Sequence, residues 1–140
     1  MRFELDARLA GDTLVVGDLP LCRVLLMNDA RFPWLVLVPR HDGLAEITDL
    51  SRSDQQALWD EVNQATEALR GTGPCEKINI GALGNIVRQL HVHVVARRVG
   101  DDAWPGPVWG SGRPLPRDET DSAELIRRLR EKLPVELPGQ

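Results

Sequence analysis

The chain has 140 residues, 42% of them hydrophobic, with Cys at only two positions and a formal charge of 17 − 21 = −4. That length and apolar content suffice for one globular unit with its own core. The acidic balance argues against a nucleic-acid footprint, and no apolar run approaches the length of a membrane span.

The opening Met-Arg-Phe-Glu-Leu-Asp lacks the apolar centre of a signal peptide, and Cys22 and Cys75 have no CxxC spacing. They read as small core residues in a reducing cytoplasm, a disulfide remaining open. Phe3, Leu5, Ala7 and Leu9 alternate with charged or polar neighbours, which predicts an edge strand with one wet face. Ala10-Gly11-Asp12 then reads as a turn, with Thr13 to Val16 returning as the second arm of a hairpin. Leu21 to Met27 is an almost wholly apolar strand, closed by Asn28-Asp29-Ala30-Arg31-Phe32-Pro33. Trp34 to Val38 is apolar on both faces and predicts a central strand, which Pro39 ends because it cannot donate a ladder hydrogen bond.

Residues 51–70 carry the clearest helical pattern, with Leu58, Val62, Ala65 and Leu69 on one stripe and Trp59 and Thr66 beside it. Ser53 with Gln56 fits a capping box, Ser51 is an alternative cap, and Gly71 is the stop. A short strand carrying Asn79 follows and runs into the glycine loop Gly81-Ala-Leu-Gly84-Asn85. Its glycines allow backbone N–H groups to approach an anion closely. The next stretch, Gln89-Leu-His91-Val-His93-Val-Val-Ala-Arg97, alternates with period two. A strand would put Gln89, His91 and His93 on one face and Leu90, Val92 and Val94 on the other. Two of the three histidines in the chain thus share a strand face. Alone, the pair fits surface decoration or a metal site as well as catalysis. An asparagine, glycine amides and imidazoles together suit a phosphate ester or anhydride.

After Arg98 the pattern changes. Residues 100–114 are rich in turn formers, lack periodicity and hold Trp104 and Trp109, two of the four tryptophans. These indoles should pack on something, either the outer face of the core or a nucleotide base. Asp121 to Leu133 predicts a helix capped by Asp121 or Ser122, with Leu125, Ile126, Leu129 and Leu133 inward. Arg127, Arg128, Arg130 and Lys132 should face solvent. No repeats are apparent.

The run from Asn79 through Gly84 to Gln89-Leu-His91-Val-His93, with the preceding Trp34-Leu-Val-Leu-Val-Pro39, resembles the histidine triad (HIT) family of nucleotide hydrolases and transferases. That family's signature is His-φ-His-φ-His-φ-φ, and the resemblance spans roughly residues 3–98. Gln89 stands where the family has its first histidine, and Trp34 where many members carry another histidine. The fold should bring these two departures close, so that one compensates for the other. The resemblance implies that His91 attacks the α-phosphate, forming a covalent nucleotidyl-histidine, while His93 donates to a phosphoryl oxygen and Gln89 orients a neighbour. Gly84 and Asn85 would supply donors, Asn79 would contact the ribose or the leaving side of the phosphate chain, and Asn28 would bond the ribose. Asn28 has a plainer reading too, since asparagine tolerates turns. His41 reads as a loop histidine, with a supporting role open.

The expected fold is α+β: a mainly antiparallel sheet of about five strands, one long helix and a C-terminal helix. Residues 1–100 would form a HIT-like nucleotide-binding domain, and 101–140 a loop and helix of the same unit. The expected substrate is a purine nucleotide, as a nucleoside polyphosphate, dinucleoside polyphosphate or phosphoramidate, with no cofactor or metal and with homodimerisation. Two alternatives remain: a nucleotide-binding sensor or scaffold with little turnover, and a metalloenzyme using His91, His93 and His41.

Overall fold

The computed structural model describes residues 3–139; Met1, Arg2 and Gln140, which the expected domain bounds include, lie outside the described residues. Five strands form one antiparallel sheet: β1 Thr13–Asp18, β2 Cys22–Met27, β3 Trp34–Pro39, β4 Lys77–Gly81 and β5 Val92–Arg97. Their order is β1-β2-β3-β5-β4, so the apolar β3 is central as its composition requires. This is the expected α+β architecture.

Side-chain alternation gives the sheet two buried faces. On one, Val24, Leu26, Leu35, Leu37, Val92 and Val94 meet Leu58, Val62, Ala65 and Leu69 of α2 (Arg52–Arg70). Leu129 of α3 (Glu119–Lys132) and Leu133 complete that core. On the other, Leu25, Trp34, Val36, Val38 and Val95 meet Leu9, Phe32 and Val108. Because β5 is covered on both sides, all six of its residues are buried, and the histidine face sits under protein at the head of a cleft.

The predicted hairpin of residues 3–16 does not form. Ala7–Asp12 is a short helix, α1, capped by Asp6, whose carboxylate accepts from the Arg8 and Leu9 amides. β1 pairs instead with β2, Thr13 opposite Met27. Alternation over residues 3–9 satisfied a strand pattern locally, but an Asp at an N-cap satisfies orphan amides and starts a helix. Leu9 remains buried by packing down from α1.

Ser51, not the Ser53 capping box, caps α2 by accepting from the Asp54 amide. α3 begins ahead of the first predicted cap, because Asp118 accepts from the Thr120 and Asp121 amides. Arg130 turns back from the solvated face to donate to the Val16 carbonyl of β1. Cys22 is buried, Cys75 half-buried, and both are free. No helix among the described residues is long and apolar enough to cross a membrane.

Candidate active site

His91 immediately precedes β5 and His93 lies within it; both are buried and line a cleft of about 630 Å³. The His91 Nδ1 is 2.6 Å from the carbonyl oxygen of Gln89. A carbonyl only accepts, so Nδ1 carries the proton and Nε2 keeps a free lone pair.

His93 has the opposite polarity. The indole Nε1 of Trp34 is 3.0 Å from its Nδ1. An indole N–H only donates, so Nδ1 is the acceptor and the neutral ring carries its proton on Nε2. The contact follows from sheet register. Trp34 opposes Val95 and Val36 opposes His93, making Trp34 a diagonal cross-strand neighbour of His93 on the same face. Burial, and secondarily the neighbouring His91, push the His93 pKa from 6.5 down to about 3. The two imidazoles meet edge to face with centroids 4.9 Å apart.

Gln89 does not touch either imidazole with its amide. Its Oε1 accepts from the Asp6 amide at 2.8 Å, and its Nε2 donates to the Glu4 carbonyl at 3.0 Å. Gln89 therefore aims His91 through its main chain and holds the N-terminal segment with its side chain. Trp34 and Gln89 have separate partners, so the expected mutual compensation has no direct contact behind it.

Gly84 and Asn85 line the cleft, Gly84 at φ +71°, a left-handed conformation that glycine adopts without strain. Asn28 also lines it, with its side-chain Oδ1 accepting from the Arg117 backbone amide. Asn79, expected at the ribose or the leaving side of the phosphate chain, stands away from the cleft. Its Oδ1 accepts from the Arg97 guanidinium at 2.8 Å. Asn79 and Arg97 are diagonal neighbours across β4 and β5, and the buried guanidinium claims the amide. His41 lies 3.5 Å from Asp54 and outside the cleft, which removes it from a metal set with His91 and His93. Among the described residues no group of three or more His, Cys, Asp or Glu is placed to hold a metal ion.

The tryptophan segment closes the site. Trp109 packs its edge on His93, centroids 5.5 Å apart, and forms part of the cleft wall. A Cβ on Gly81, the residue opposite His93 in β4, would stand 3.0 Å from the Trp109 ring, so the glycine makes room for the indole. Trp104 lies instead over the Arg97 guanidinium. Arg97 secures this segment through a buried ion pair with Asp101 and a bond to the Gly106 carbonyl. Asp101, bonded to that guanidinium, has its pKa lowered to about 2.

Family comparison matches the HIT domain over residues 9–100. The chain belongs to the HIT domain family. Solved histidine triad proteins share its fold closely. One from Bradyrhizobium japonicum is 48% identical with a TM-score of 0.92, the alignment covering 94% of this chain and 98% of that one. One from Sinorhizobium meliloti is 50% identical with a TM-score of 0.91, covering 94% and 97%. A third, from Marinobacter aquaeolei, is 44% identical with a TM-score of 0.92, covering 96% and 98%. No curated protein matches the chain.

Sequence reasoning missed three arginines around the site, two within the HIT domain and Arg117 in the segment after it. Arg31 lines the cleft, paired with the buried Asp29 and bonded to the Ser111 carbonyl. Arg117 binds the Met27 and Phe32 carbonyls and pins the tail beside Asn28. Arg97 was visible at the end of the histidine strand, but its partners lie in β4 and the tail. A charged residue continuing the inward face of a buried strand was the available signal.

Proposed function

We propose that this HIT domain hydrolyses phosphate-linked purine nucleotides, attacking the α-phosphorus with His91 Nε2 to form a covalent nucleotidyl-histidine that water cleaves. The observation that carries this reading is the His91 Nδ1 contact to the Gln89 carbonyl, which leaves the nucleophilic lone pair on Nε2 at the cleft. His93 would donate its Nε2–H to a phosphoryl oxygen, with the amides at Gly84 and Asn85 adding donors as charge develops. Asn28 would take the ribose and Trp109 would stack on the base. Asn79 would act from behind, through Arg97 and the tail it secures. Homodimerisation is supported by the outer position of β4, by Ile80 on it and by Trp59 on α2, both well exposed. The free thiols suit a cytoplasmic location.

The test is AMP release, without added metal, from diadenosine tetraphosphate and adenosine phosphoramidate by wild type and His91→Ala. Wild type should release AMP, and His91→Ala should lose it by about 10³-fold or more while unfolding normally in urea. Leu90→Ala, on the opposite face, should instead cost about 2–5 kcal/mol of stability. Tight AMP binding with no release by wild type would replace the hydrolase with a nucleotide sensor.

A further inference from the structure

We propose, resting on the hydrolase reading, that the site is built for phosphoanhydride substrates, and that Trp34 is the positioning residue behind this choice: it holds the His93 proton on Nε2 and offers Nδ1 no proton acceptor, so His93 cannot serve as an acid. A phosphate leaving group departs as a stable anion. An amine or an alkoxide needs a proton as its bond to phosphorus breaks, which calls for a positioned acid.

The groups around the cleft do not provide one. The neutral His93 has its single proton on Nε2 and its Nδ1 filled by the Trp34 N–H at 3.0 Å. To act as an acid it must first gain a proton at Nδ1, where the indole can only donate. Burial and His91 both oppose that protonation. His91 has its Nδ1 proton on the Gln89 carbonyl, and its Nε2 is used in the attack. The Gln89 amide is neutral and turned to Glu4 and Asp6. The charged residues on the cleft wall are Arg8, Arg31, Asp12 and Asp29. Arg31 holds Asp29 as a carboxylate, Asp12 is an exposed carboxylate on α1, and guanidinium groups do not release protons.

The reaction balances without an acid. The His91 Nε2 lone pair forms the N–P bond as the bridging P–O bond breaks, and its electron pair leaves with the distal phosphate. Water oxygen then bonds to phosphorus, the P–N bond breaks, its pair returns to Nε2, and the water proton passes to solvent. His93 keeps its proton throughout, as a donor to the phosphoryl oxygen.

Two measurements test this. In ¹⁵N-histidine NMR of the wild type, His93 should show an unprotonated Nδ1 and a protonated Nε2 from about pH 8 down to about pH 5, across the range where an ordinary imidazole titrates. In turnover, kcat for diadenosine tetraphosphate should exceed that for adenosine phosphoramidate by about 10²-fold, the low end of what a positioned acid supplies. Trp34→His places an imidazole that both gives and accepts protons beside His93; it should raise phosphoramidate kcat and narrow the ratio. Trp34→Phe removes the donor without adding a proton carrier; it should bring the Nδ1–H form into the spectrum and leave phosphoramidate turnover low. Faster cleavage of the phosphoramidate by wild type overturns the proposal, as does a protonated His93 Nδ1 or a ratio unmoved in Trp34→His. If wild type binds AMP and cleaves neither compound, the hydrolase reading and the substrate choice fall together. The spectrum then still reports whether Trp34 fixes the proton.

Discussion

Gln89 joins two parts of the chain that sequence distance keeps apart. Its carbonyl sets the His91 tautomer, and its amide holds Glu4 and Asp6 more than eighty residues away. Gln89→Ala keeps the carbonyl and deletes the amide. It should lower stability by about 1–3 kcal/mol, the range for two side-chain hydrogen bonds with partly exposed partners. Amide exchange at Asp6 should quicken, while AMP release per folded molecule should fall far less than in His91→Ala. A loss equal to that of His91→Ala would place the Gln89 side chain in the chemistry itself. At this scale His91, His93, Gly84 and Asn85 stood out by residue type and spacing and Asn28 only through the family resemblance, and the structure lines one cleft with all five. Their hydrogen-bond partners could not. Trp34 is 59 residues from His93, and nothing in local sequence says that its N–H ends on that ring.

Elements were legible where their period ran long enough to exclude the alternatives. The 19 residues of α2 repeat the helical stripe several times, and β3 and β5 are unmistakably apolar on at least one face. The six residues of α1 complete fewer than two turns, too few to separate a helix from the alternation that precedes it. Its formation depends on the Asp6 cap and on the hold that Gln89 exerts on the same residue. A second hidden link lies on α2 itself. Glu61 interrupts the apolar stripe between Leu58 and Val62, a visible oddity, yet it is buried. Its two carboxylate oxygens accept from the Leu21 and Cys22 amides at 2.8 Å each, tying α2 to the start of β2. Glu61→Gln leaves one acceptor and turns an NH2 toward the other amide. Stability should drop by about 1–3 kcal/mol, the penalty of a buried donor without a partner. Urea unfolding checks this; a loss below about 0.5 kcal/mol, the scale of an ordinary surface substitution, would mean that the introduced side-chain amide finds another partner.

The whole molecule is a sheet covered on both faces by different means. Two helices cover one face. On the other, α1 and the segment after Arg98 are held by polar anchors, chiefly Arg97 with Asp101 and Arg117 with Met27 and Phe32. That covering removes His93 from water and leaves it neutral, which couples folding to pH. The unfolded imidazole titrates near 6.5, whereas the folded one is held to about 3. Between those values the unfolded chain binds a proton that the folded chain refuses. The stabilisation is therefore complete above 6.5 and is lost as pH falls toward 3, at a slope of at most about 1.4 kcal/mol per pH unit. Asp101 has the same sign in a lower window: its carboxyl is held near 2 against an ordinary 3.8, so its share is lost only below 3.8. Urea midpoints measured from about pH 7 to about pH 4.5, above most of the ordinary carboxyl range, should isolate the histidine. Wild-type stability should fall steadily through that range. His93→Gln, less stable at neutral pH for want of the imidazole's packing, should show a shallower slope by up to one proton. Parallel curves would mean that His93 accepts its proton in the folded state, and that the face over β5 admits charge.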